Sequence, residues 1–139
     1  MFETGNTTTT QMSQRALAVR FLTRTQVEIT QMKACLPEEV IALEAPAVAH
    51  IEQLAHKIAG AAESFGFPQV SAIAAAIELL SHGSKATTYR ERLLLMTRLT
   101  EQILALEVYV EYALVEHTAQ DAAGLPDVVV SSAALRRGR

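Results

Sequence analysis

Leu54-Ala55-His56-Lys57-Ile58-Ala59-Gly60-Ala61-Ala62-Glu63-Ser64-Phe65-Gly66 is the stretch whose reading decides the fold. At about 100° per residue on a helix, Val48, Ile51, Ala55, Ile58, Ala62 and Phe65 fall on one side, the spacing of a buried stripe. His56 sits about 100° round from Ala55, at the shoulder where the apolar face meets the polar one, and Gly60 lies one turn further on with no side chain to cover it. The ring is therefore held but reachable. A glycine inside a helix costs about 0.5–1 kcal/mol relative to alanine. Beside a shoulder histidine, Gly60 marks a place where something approaches closely.

On either side the chain reads as further helices. From about Gln11 to Ala34, Met12, Ala16, Val19, Leu22, Gln26, Ile29 and Met32 recur every three or four positions, with Arg15, Arg20, Arg24 and Glu28 placed elsewhere. Pro37 stops that helix at or before Leu36, Glu38 to Leu43 is room for one short turn, and Pro46 precedes a second helix over about Ala47 to Phe65. Gly66 is a natural residue to end it, and Pro68 a natural one to start the third helix, about Pro68 to His82, which buries Val70, Ile73, Ile77 and Leu80. His82, just before Gly83, reads as a helix-terminal residue and not a ligand. Thr87 or Thr88 caps the fourth helix, about Thr88 to Ala119, with Leu93, Met96, Leu99 or Thr100, Ile103, Leu106, Val110, Ala113 and His117 along its seam. A second ridge, Leu95, Val108, Tyr109, Tyr112 and Val115, is available to the first helix or to a partner.

Short connections between consecutive helices favour antiparallel neighbours. The expected fold is all-α, an antiparallel up-down-up-down four-helix bundle over residues 11–120, with a flexible lead over 1–10 and a mobile tail over 121–139. Bulk properties agree. At 139 residues the chain is the size of one domain, and a composition 50% apolar but only 5% aromatic, without Trp, suits packed helices better than a β sandwich. A net charge of −3 leaves no basic footprint for nucleic acid. No run of about 18 apolar residues is present to cross a membrane. The lone Cys35 has no partner for a disulfide or a cysteine-based metal site, which together with the lack of a signal peptide points to the cytoplasm. His50 and His56 are six apart on different faces and are poor metal ligands.

The run His56-Lys57-Ile58-Ala59-Gly60-Ala61-Ala62, then Ser64-Phe65-Gly66-Phe67 and Ile77-Glu78, resembles the signature of the histidine-containing phosphotransfer (HPt) domain family. That signature has a helical histidine, an apolar residue at plus two, glycine at plus four, small residues at plus five and six, and a helix-ending glycine at plus ten. Many members carry lysine at plus three, where this chain has Ala59; the nearest cation is Lys57. The resemblance implies a phosphorelay intermediate. His56 would accept a phosphoryl group at Nε2 from a receiver-domain aspartate and pass it to another. It also implies that Mg²⁺ and a lysine are supplied by the receiver, so that the bundle needs no cofactor of its own.

Around His56, Lys57 is placed to steer a phosphate or an acidic receiver rim, Glu52 and Glu63 flank the ring's edge, and Gln53, Gly60, Ala61 and Ser64 complete a low-relief docking face. Partners are then receiver domains of response regulators or hybrid histidine kinases, met by a monomer; an autonomous kinase is excluded by length. Two rivals stand beside this reading. One is a dimeric histidine-kinase-like phosphoacceptor bundle, which would follow its histidine with an acidic residue and a nearby proline that are absent here. The other is a non-catalytic helical adaptor.

Overall fold

A computed structural model describes the backbone of residues 2–121 and the side chains of residues 14–119. The order of elements is α1 (Phe2–Cys35), a 3₁₀ turn (Val40–Ala42), α2 (Ala45–Ser64), α3 (Pro68–Ser81) and α4 (Tyr89–Asp121), with no strand among the described residues. All four helices contribute to one hydrophobic cluster: Leu22, Ile29 and Met32 from α1, Ile51, Ala55, Ile58 and Ala62 from α2, Val70, Ala74 and Ile77 from α3, and Leu99, Ile103, Leu106 and Val110 from α4.

The helix ends follow the local signals. Gly66 has φ +83°, the left-handed conformation that favours glycine, and the Phe67 amide reaches back to the Ala62 carbonyl at 2.9 Å to close α2. Pro68 opens α3 where its missing N–H is harmless. Thr88 caps α4 in a reciprocal box. The Glu91 amide donates to Thr88 Oγ1, and the Thr88 amide donates to Glu91 Oε1, both at 3.1 Å. Hydrogen bonds from the backbone N–H groups of Thr87 and Thr88 hold the Glu91 carboxyl below its ordinary range. Arg92, one residue on, donates from Nη1 to the carbonyls of Ile41 and Leu43 at 3.1 and 2.9 Å, fastening the α1–α2 connection to α4.

Three features differ from expectation. First, α1 begins at Phe2 and not near Gln11, so residues 2–10, expected as a flexible lead, are helical. With no proline before Pro37, an established helix extends at less cost than a new one nucleates. Of the expected tail, all but Asp121 lies outside the described residues. Second, the buried stripe of α1 is rotated. It runs through Ala18, Phe21, Leu22, Thr25, Glu28, Ile29 and Met32, while Ala16 is exposed and Gln26 only half-buried. Thr25 fits because its hydroxyl donates to the Phe21 carbonyl at 2.8 Å, leaving its methyl for the core. Third, Phe65 and Leu93, expected on core seams, are exposed, and Ile73, Leu80, Met96 and His117 are only half-buried. Phe65 stacks on Phe21 at the edge of the core, 5.0 Å between ring centroids. On α4, Val108, Tyr109, Tyr112 and Val115 are exposed, whereas Leu95 packs against the core. Cys35 is half-buried, and desolvation raises its thiol pKa.

Glu28 is the consequential member of the rotated stripe, because a carboxylate 7% exposed needs compensation. Lys57 Nζ lies 3.1 Å from Glu28 Oε2, and Arg24 Nε lies 3.9 Å from the same oxygen. Removing one partner of a buried charge costs more than removing an exposed pair. Lys57→Ala should therefore lower stability by about 1 kcal/mol or more, discounted because the lysine itself is largely exposed. Urea unfolding of Lys57→Ala, Glu28→Gln and the double variant measures the coupling; additive losses would show that the two side chains act independently.

Candidate functional site

The site is built on the facing sides of α2 and α3. Ala55 and Ala62 on α2 and Ala74 on α3 are wholly buried and thin, so the two helices lie close enough for short side chains to reach across. The Ser71 hydroxyl on α3 donates to the Ala59 carbonyl on α2 at 2.8 Å, a second measure of that proximity.

At the solvent edge of this contact His56 is an open ring, 76% exposed, whose Nδ1 lies 2.7 Å from Glu78 Oε2 on α3. A carboxylate accepts only, so Nδ1 is the protonated nitrogen and the lone pair of the neutral ring is on Nε2. Nε2 has no protein partner among the described residues. One turn along, the same arrangement appears with the helices exchanged: His82 Nδ1 lies 2.6 Å from Glu52 Oε2. The hydrogen bond and charge of Glu52, with a smaller contribution from Glu78, hold the His82 ring above its ordinary pKa.

The other residues singled out from sequence sit as follows. Gly60 is open: a methyl added there would meet no atom within 4 Å. Gln53 and Glu63 are exposed and Ala61 is half-buried. The Ser64 hydroxyl is exposed and donates weakly to the Gly60 carbonyl at 3.4 Å. Glu52, expected at the edge of His56, gives its carboxylate to His82. Lys57 is turned to α1 and engaged with Glu28.

Two residues of the site were not assigned by sequence reasoning. Glu78 was quoted only as part of a matching run, and His82 was read as a terminal residue. The available signal was the spacing: Glu52 and His56 are four apart on α2, and Glu78 and His82 four apart on α3, which puts each carboxylate and imidazole on one helix face. Among the described residues no three His, Cys, Asp or Glu side chains converge on a point able to hold a metal ion. The chemistry on offer is that of an exposed imidazole oriented by a carboxylate, with open helix surface beside it.

A family model for the Hpt domain matches residues 16–109. No curated protein and no solved structure matches the chain.

Two outcomes follow from this geometry. In an NMR titration His82 should titrate above its ordinary value of 6.5, and Glu52→Gln should return it toward that value. Because the folded value is raised, the pair contributes stability that is full below pH 6.5 and fades as pH rises through the raised value. An unmoved His82 titration in Glu52→Gln would show that the pair does not persist in solution. At Gly60, alanine meets open space and removes a helix-weakening glycine, so Gly60→Ala should stabilise by up to about 1 kcal/mol in thermal or denaturant unfolding.

Proposed function

The chain belongs to the Hpt domain family, and from that premise we propose that it is a phosphorelay carrier in which His56 takes a phosphoryl group from a receiver-domain aspartate and hands it to another. Hpt domains serve histidine phosphotransfer in two-component signalling and interact with receiver domains. The observation that carries the assignment to His56 is its exposed ring, with Nδ1 engaged by Glu78 and Nε2 unengaged.

In the forward step the Nε2 lone pair attacks phosphorus in line with the aspartyl oxygen. The P–O bond breaks, its electron pair leaves with the receiver carboxylate, and a P–N bond forms. The ring gains positive charge as the bond forms, and the Glu78 carboxylate stabilises that charge through the Nδ1–H it already holds. The return step reverses these roles toward a second receiver. Charge on the phosphoryl oxygens would be neutralised by Mg²⁺ and a lysine brought by the receiver. Lys57 enters only through its long-range charge, since its ammonium is paired with Glu28.

The topology that suits this role is the antiparallel up-down-up-down bundle. It is supported by pairings whose numbers run in opposite senses: Glu28 with Lys57 and Phe21 with Phe65 between α1 and α2 with its C-cap, and His56 with Glu78 and Glu52 with His82 between α2 and α3 with its C-cap; Lys33 with Glu107 ties α1 to α4. A core closed by four helices of one chain supports a monomer over a dimeric histidine-kinase-like bundle. We place the relay in the cytoplasm; no helix of the described residues is long and apolar enough to cross a membrane.

His56→Gln should abolish labelling by a phosphorylated receiver while leaving the helical circular dichroism unchanged, and the wild-type label should be lost in acid and kept in alkali. A label that persists in His56→Gln with that receiver at the wild-type rate would place the acceptor elsewhere. Gly60→Gln should melt no lower than wild type, since the position is open, yet accept phosphate far more slowly, because its side chain rises into the approach to His56. Wild-type transfer by Gly60→Gln would move the docking face off this side of α2.

A further inference from the structure

The second imidazole of the site repeats the hydrogen-bond geometry and exposure of the first. His56 and His82 are each 76% exposed, each gives Nδ1 to a carboxylate of the neighbouring helix, and neither Nε2 has a protein partner among the described residues. Glu52 and His56 on α2 exchange partners with Glu78 on α3 and His82 at its C-cap, so each side gives one carboxylate and one imidazole to the other.

The environments differ in their charged neighbours. The lysine next to His56 is spent on Glu28. Beside Glu52, a cleft of about 520 Å³ is lined by Glu44, Glu52, Ser81, Gly83, Lys85 and Arg92, and His82 lies between two of its lining residues without lining it. Neither Lys85 nor Arg92 forms an ion pair among the described residues; Arg92 spends Nη1 on two carbonyls, and its Nε is buried without a partner.

We propose that His82 is a second phosphoryl-accepting histidine, reacting at Nε2 with Glu52 in the part that Glu78 plays for His56. Its place on the docking face rests on the phosphorelay reading given above; its reactivity does not. In the step, the Nε2 lone pair of the neutral ring forms a P–N bond, the donor's bond to phosphorus breaks, and the leaving group departs with that bond's electron pair. The Nδ1 proton stays on the ring and in the hydrogen bond to Glu52. The two acceptors lie one turn apart, about 6 Å along the helix direction.

The test uses the full chain and phosphoramidate, a small donor that loses ammonia and needs no docking. Site mapping of labelled wild type by mass spectrometry should find phosphohistidine at His56 and at His82. His56→Gln should keep the label at His82, and His82→Gln should keep only that at His56. Glu52→Gln should slow labelling at His82 and leave His56 unchanged. His50, exposed on α2 without a carboxylate partner among the described residues, is the internal control and should label more slowly than either. Labelling confined to His56, or equal rates at His50 and His82, would overturn the proposal while leaving the phosphorelay reading intact. Labelling at His82 but not at His56 would sustain the proposal and overturn the assignment of His56.

Discussion

Close approach of α2 and α3 is the constraint on which the site depends. Histidine and glutamate are short, and a 2.6–2.7 Å contact between them across two helices requires backbones nearer than leucine-lined helices come. Ala55, Ala62 and Ala74 supply that nearness, each wholly buried with only a methyl to accommodate. A larger residue at any of them would push the helices apart and part both pairs together, although none touches a ring. The small residues on the seam thus set the geometry of the polar groups at its edge.

Much of this was legible in the residues because its causes are local. The end of α2 at Gly66, the start of α3 at Pro68 and the cap of α4 at Thr88 each follow from one residue's backbone preference or side-chain donor, and all stand where those preferences put them. The stripe of α2 was legible through Ala62 for the same reason, its apolar period being uninterrupted. The stripe of α1 was not. Thr25 and Glu28 belong to it only because one satisfies its hydroxyl on its own helix and the other meets a lysine from α2, and the second of these facts is absent from the local sequence.

The same limit applies to the site. His56 and Gly60 could be placed on an open shoulder from helical spacing alone, but Glu78 and His82 acquire meaning only when the rotation of α3 against α2 is known. Spacing gave the faces and not which faces meet. Lys57 shows the converse: its position beside His56 is a matter of sequence, and its engagement with a buried glutamate one helix away decides how its charge is used. Carboxylates at the exposed rings orient; the buried carboxylate of Glu28 must be neutralised, and it takes the nearest lysine to do so.

The separations along the chain carry a consequence for how the protein assembles. The two imidazole–carboxylate pairs join residues 22 and 30 apart, whereas the Lys33–Glu107 pair that ties α1 to α4 spans 74. Closing a short loop costs less chain entropy than closing a long one, so the α2–α3 hairpin is the portion able to form early, with α1 and α4 condensing on it afterwards. In a chevron analysis, core truncations on the α2–α3 seam would then slow folding, and truncations on the α1–α4 seam would mainly hasten unfolding. The two imidazole–carboxylate pairs are carried by the hairpin of the chain that needs the least of the rest in order to exist.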